Sequence, residues 1–477
     1  MRRLSGTHRR AWMTGVAAIV TGIAGAVLVV AHQGAGQSAT VPGALTASVA
    51  ESSWTPITTL TAPKWGGDSA VISVDNSGDF FTAWSGISNT NPNCQSQTQI
   101  RIRFRTGKLG GVEQLTPCGY PSTSFPVVAT NASGYSIAAW IFNPSAFAIQ
   151  ARTISPTGKL GPLLTVTRKG DQANLVNVGI SPTGQALVAW HQLSTVLNSP
   201  NSILGRFISP GSKLGPVMDI GGATGQLPSV VFDKTGTATV GWSAGGDQSV
   251  ARRVTPHGMG AVKTIFGPPY GKVSSTAYGT PRLADDSNGD TFVLATADTT
   301  VKNTRVEHLL YRKWAKSGTL GPVITVANPR STLSVTNIGD GPALAVDGKG
   351  DAVVAWDSAL TTVTVNHQPE AAVWGRRVSS SGKLGPSVHL GSGFLPKVAV
   401  DPAGAGLVTW QSGEVASPYP TNIHGRRTSA TAGAFGPLLE FTAVGGYAVP
   451  AVDPAGEFGV IWVGGSVGSL VQARFGH

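Results

Sequence analysis

Eight times along this chain a glycine is preceded three residues earlier by a short polar side chain, and seven of the eight are followed six residues later by a tryptophan. The glycines are Gly78, Gly134, Gly184, Gly236, Gly289, Gly350, Gly404 and Gly456, at steps of 56, 50, 52, 53, 61, 54 and 52 residues. The residue six places on is Trp84, Trp140, Trp190, Trp242, Ala295, Trp356, Trp410 or Trp462; Ala295 is the one departure, and the nearby Trp314 reads as its replacement bulk. The residue three places before is Asp75, Asn131, Ser181, Asp233, Asp286, Asp347, Asp401 or Asp453. A unit of this size cannot bury its own hydrophobic face and has to stack against copies of itself, so the chain is a repeat architecture with a core shared between neighbours.

The sixth unit shows the local physics most clearly, in the run from Pro342 through Asp347-Gly348-Lys349-Gly350 to Trp356. Short apolar and β-branched runs flank an Asp-x-x-Gly turn, in which Asp accepts backbone N–H bonds and Gly supplies a positive φ, so each unit begins with two antiparallel strands. A third strand carries Arg101, Arg152, Arg206, Arg252, Arg312, Arg376, Arg426 or Arg474, and a Gly-x-Leu-Gly-Pro turn leads into a fourth. With 62 Gly and 31 Pro in 477 residues, long helices are excluded. Four-stranded units of about 50 residues are the blades of a propeller. The eighth unit stops after its third strand at Phe475-Gly476-His477, while Trp54 to Thr61 aligns with Leu160 to Thr167, a fourth strand. The expected fold is therefore all-β: a single eight-bladed propeller of four-stranded antiparallel blades over residues 54–477, its last blade closed by the N-terminal strand.

On the Val-Asp-x-x-Gly-x-Ala-x-x-x-Trp repeat, the chain resembles the secreted bacterial repeat-propeller proteins over residues 54–477, many of them uncharacterised. That resemblance implies the fold. It implies no particular activity, since propellers host binding, lyase, hydrolase and redox functions.

Residues 1–31 read as a signal peptide or membrane anchor: Arg2, Arg3, Arg9 and Arg10 precede an apolar run from Ala11 to Ala31, with no acidic residue before Glu51. Small-residue cleavage sites stand at Val29-Val30-Ala31 and Ser48-Val49-Ala50, and the uncut run is long enough to span a bilayer. Residues 32–53 read as a flexible linker. The expected location is secreted or extracytoplasmic, or membrane-anchored through residues 11–31 with the propeller outside. The formal charge of +11 falls to +7 without the four arginines, too dilute for a nucleic-acid surface. A monomer is expected.

Strand alternation places the Asp-x-x-Gly and Gly-x-Leu-Gly-Pro turns at one end of the ring and the remaining loops at the other. The first end hardly varies in length. At the second, the interval from Trp84 and its equivalents to the third-strand Arg runs 17, 12, 16, 10, 17, 20, 16 and 12 residues. Variable loops on a rigid scaffold are where recognition concentrates. The loops leading into each first strand carry Trp65, Tyr120, Phe125, Tyr270, Tyr278, Phe394 and Tyr447, with Arg282, Lys397 and Glu414 nearby. Aromatic faces around a concave mouth suit sugar rings or apolar ligands, and these residues, with Arg282 and Lys397, are the candidate ligand-binding set. Plugging the channel or wedging the blades apart is the competing role.

The expected function is a non-enzymatic binding or interaction module for an extracellular or cell-surface glycan or protein; the alternative is a polysaccharide hydrolase or lyase. No catalytic residue can be picked out and no cofactor is expected. Quinoprotein and sialidase propellers space their Asp, Gly and Trp differently. Asp286 to Asp290 is only slightly like a calcium loop and reads as a turn, and the histidines, His191 and His424 among them, lack metal-ligand spacing and read as loop or strand-end residues. Lys108, Lys159, Lys213 and Lys383 form a partial basic rim on the constant end. Cys94 and Cys118 both fall at the variable end of the first blade, which predicts a disulfide in an oxidising compartment.

Overall fold

The computed structural model describes residues 54–477 apart from 92–93, 95, 119–122, 143–146, 194–200, 223–224, 246–247, 268–280, 302–303, 328–341, 360–370, 413–421, 430–433, 443 and 465–469. The expected signal and linker segments lie outside the described residues. Every described element is a β-strand. The strands form eight antiparallel sheets, one per sequence repeat. The third blade is typical, with strands Gln172–Ile180, Ala186–Leu193, Ser202–Ile208 and Leu214–Asp219. In the fourth blade the outermost strand is broken into Gly258–Met259 and Lys263–Phe266, both paired with Gln248–Thr255.

The first strands form the inner ring. Each touches the first strand of the next blade, and Gly446–Val452 of blade eight returns to touch Trp65–Val74 of blade one. Closure follows the expectation: Thr58 pairs with Ala473 and Thr59 with Gln472, and Thr55 N–H donates to the Phe475 carbonyl at 2.7 Å.

The buried apolar residues divide into clusters that each draw on two adjacent blades, so the core is a set of interfaces. Trp190 packs against Ile137 and Ile149 of the blade before it, and Trp410 against Val353 and Leu390. Truncating such a tryptophan to alanine would cost about 3–5 kcal/mol. At Ala295 the missing ring is replaced from across the interface. Phe266 pairs with Ser249 where Gly391, in the same register of another blade, pairs with Val373. A Cβ on Gly391 would lie 3.0 Å from the Trp410 ring, so this position looks onto the tryptophan site of the next blade. Phe266 is buried in one cluster with Ala295. Trp314, the expected substitute, belongs to that cluster too but pairs with Thr291 toward the constant end, where the Arg253 guanidinium stacks 4.4 Å from its ring centre.

The recurrent arginine is a staple between blades. Arg206 donates from Nε to the Gly215 carbonyl of its own fourth strand at 2.6 Å and from Nη1 to the Val166 carbonyl of the preceding blade at 2.9 Å. Arg101 bridges Gly110 and Leu60 in the same way, and Arg312 bridges Gly321 and Ile265. Arg474 reaches Thr55, which confirms the N-terminal strand as the fourth strand of blade eight.

At the constant end, Asp75 Oδ1 accepts the amides of Ser77 and Asp79 at 2.8 and 2.9 Å, and Asp233 and Asp347 repeat the pattern. Asp286 does the same with Asn288 and Asp290, so the loop slightly like a calcium site is the common turn. The turn glycine is required twice over at Gly134: its φ is +81°, and a Cβ would lie 2.8 Å from Asp75 Oδ2 of the preceding blade. One residue breaks the uniformity. Asp285 stands where the other blades place Val74, Thr130, Ile180, Phe232, Val346, Val400 and Val452. Its carboxyl is buried, and burial pushes its pKa up to about 7; a hydrogen bond from the Thr291 hydroxyl and the charge of Arg253 oppose that shift, and Asp233 adds to it.

Candidate functional site

A regular innermost strand has little to offer a ligand, because both faces are covered by neighbouring blades and only a backbone edge looks onto the axis. A β-bulge changes that by re-aiming one side chain. Register breaks occur between Asp68 and Val71, Ser124 and Val127, Asn174 and Asn177, Gln226 and Ser229, Phe394 and Lys397, and Gly446 and Val449. Within five of these breaks Ser69, Phe125, Leu175, Leu395 and Tyr447 adopt φ of 50–57°, the left-handed region that non-glycine residues avoid. All five stand nine residues before their turn glycine, near the variable end of the strand. Phe125 is 64 % exposed, Tyr447 56 % and Leu175 42 %. These exposed side chains belong to the strands of the inner ring.

Cross-blade acceptors hold two of the bulges. Gln411 Oε1 accepts the Tyr447 amide at 2.7 Å, and Asp357 Oδ2 accepts the Leu395 amide at 3.0 Å. Burial pushes the Asp357 carboxyl above its ordinary pKa, while the Leu395 amide and the charge of Lys397 pull it back. On blade one, Asp68 Oδ1 accepts the amide of Ser69 at 2.6 Å.

The sequence placed the aromatic set in loops; the structure places its described members in the innermost strands. Phe125 and Tyr447 occupy bulges, Phe394 is half-buried and paired with Gln411, and Trp65 is half-buried as the first residue of its strand. A strand with a bulge lacks the clean alternation by which it would be recognised, which is why these residues read as loop. Arg282 and Lys397 are half-buried on the inner strands of blades five and seven. Tyr120, Tyr270, Tyr278 and Glu414 lie outside the described residues. Sequence reasoning missed Leu175 and Leu395 by searching for aromatic residues; their fixed distance from the turn glycine is the signal that would have found them.

Cys94 and Cys118 form a disulfide with Cα atoms 4.8 Å apart. Beside it, Ser96 Oγ donates to the Thr123 carbonyl at 2.6 Å, which ties the loop to the next inner strand. His191 and His424 sit inside strands and are buried, a correction to their reading as loop or strand-end residues. His191 Nδ1 lies 2.8 Å from Asn174 Oδ1, and His424 Nε2 lies 2.7 Å from Ser412 Oγ. Burial lowers both pKa values. Among the described residues, His424 Nδ1 is buried without a hydrogen-bond partner. Among the described residues no group of three or more His, Cys, Asp or Glu could hold a metal ion. Lys108, Lys159, Lys213 and Lys383 are all exposed at the constant end.

No protein-family model and no curated protein matches the chain. Among solved structures, it is similar to the WD40 domain of SCAP from fission yeast at 8 % identity, with a TM-score of 0.51 over 88 % of this chain and 98 % of that one. A BP39L lectin from Burkholderia pseudomallei matches at 11 % identity and a TM-score of 0.49, over 80 % and 99 % of the two chains. An alpha-L-arabinanase from Penicillium chrysogenum matches at 14 % identity and a TM-score of 0.40, over 75 % and 94 %. At such identities the likeness is one of fold.

Proposed function

We propose that this protein is an exported binding module that takes a saccharide at the variable mouth of the ring. The observation that carries the reading is the set of exposed side chains, Phe125 and Tyr447 foremost, held in left-handed backbone on strands that otherwise show the axis only a polar edge. Apolar side chains on a strand edge that carries backbone N–H and C=O groups match the chemistry of a sugar, which offers C–H faces and hydroxyls together. The disulfide supports a working place outside the cytoplasm. Probing residues 54–477 against an oligosaccharide array tests the reading: a signal lost in the Phe125→Ala, Tyr447→Ala double variant at unchanged melting temperature is expected. A blank array, or a double variant that binds as well as the parent, rejects it.

A further inference from the structure

The bulge position does more than display two aromatic rings. Resting on the saccharide reading above, we infer that the residue nine places before the turn glycine is the specificity-determining position of the ring. Leu175 and Leu395 contact the ligand beside Phe125 and Tyr447, and the ligand is a neutral sugar chain.

Two observations lead there. The first is conformational. Leucine, phenylalanine and tyrosine are poor choices for φ near +55°, where glycine or asparagine would sit with less strain, yet Phe125, Leu175, Leu395 and Tyr447 all occupy it. The turn glycines of the same blades show that this chain does place glycine where the backbone alone decides. Phe125, Leu175 and Tyr447 are exposed at their bulges and Leu395 is half-buried, and an apolar side chain kept at a strained position with part of its surface open serves what it touches outside the fold. The second is electrostatic. Ser69, Phe125, Leu175, Leu395 and Tyr447 carry no charge, and Asp68 stands next to Ser69. Lys397, two residues on from Leu395, is attracted to the Asp357 carboxylate. Among the described residues, an acidic sugar lying over these bulge positions would lose its hydration without meeting a cation at any of them.

The test uses cello-, manno-, galacto- and arabino-oligosaccharides alongside oligogalacturonates, with residues 54–477 and four single variants: Phe125→Asn, Leu175→Asn, Leu395→Asn and Tyr447→Asn. Asparagine tolerates the left-handed region, so the backbone is kept while the apolar face is removed. The expected result is binding to one neutral series, weakened at least fivefold by each variant, with melting temperatures within about 2 °C of the parent. Neutral binding that the leucine variants leave unchanged would overturn this inference and leave the mouth as a saccharide site. A preference for the uronate series, or melting temperatures that fall together with binding, would overturn it as well. A blank array removes the saccharide reading and this inference together.

Discussion

At the constant end of the ring, Asp75, Asp233, Asp286 and Asp347 each fold the backbone over one carboxylate oxygen, and the next blade packs against the result. At the variable end, loops of changing length are held by individual devices: a disulfide in blade one, Asp357 between blades six and seven, Gln411 between blades seven and eight. Uniformity at one end supplies the rigidity against which the other can differ. The comparison also separates two kinds of positive φ. The Asp-x-x-Gly turns use glycine for it, while five inner-strand bulges place it on Ser69, Phe125, Leu175, Leu395 and Tyr447.

The comparison can be broken most severely by removing what both ends depend on, the closing strand. Deleting residues up to 61 takes away Leu60 and the ladder on Leu470–Gly476. A loss of roughly 5 kcal/mol is expected from the buried leucine and the lost hydrogen bonds. Light scattering should show association through the open edge; a monomer with the parent melting temperature would refute closure.

Asp285 is the exception within the constant end. Its folded pKa, about 7, lies above the unfolded value near 3.8, so its contribution to stability is complete below about pH 4 and is lost as pH rises through 7. Replacing it with the valine found in blades one, six, seven and eight should raise stability at pH 8 by about 4 kcal/mol and change little at pH 4. Parallel pH–stability curves for parent and Asp285→Val would contradict this.

The smallest effect contrasts the two classes of positive φ. Gly134→Ala should cost about 2 kcal/mol, from a disfavoured φ and a methyl pressed against Asp75. Equal tolerance of alanine at Gly134 and of asparagine at Leu175, read by thermal unfolding, would erase the distinction.

The blade count, the closing strand and the disulfide were legible because each leaves a mark at fixed spacing: the turn glycines, the shift in frame between Trp54 and Phe475, the two cysteines of one blade. The staple was legible only by half. Arg206 recurs visibly, but its partners are the carbonyls of Gly215 and Val166, and a carbonyl has no letter in the sequence. Phe266 could not be linked to Ala295, because the two meet only after a fourth strand is laid against the next blade. The bulge was hidden for a related reason. It breaks the alternation of two, so Phe125 and Tyr447 passed for loop residues and Leu175 drew no notice.

The closing strand also sets a clock. Thr55 meets Phe475 and Arg474 across 420 and 419 residues, so the contact that seals the ring is among the last the chain can make. At ordinary rates of synthesis the two partners appear roughly 20 to 80 seconds apart. Throughout that interval the third strand of blade eight does not yet exist, and Thr58 and Thr59 have nothing to pair with. A growing chain therefore carries an unsatisfied strand from its first exposed residues to its last. Until Phe475 is made, that segment is an open strand edge, free to pair with another chain.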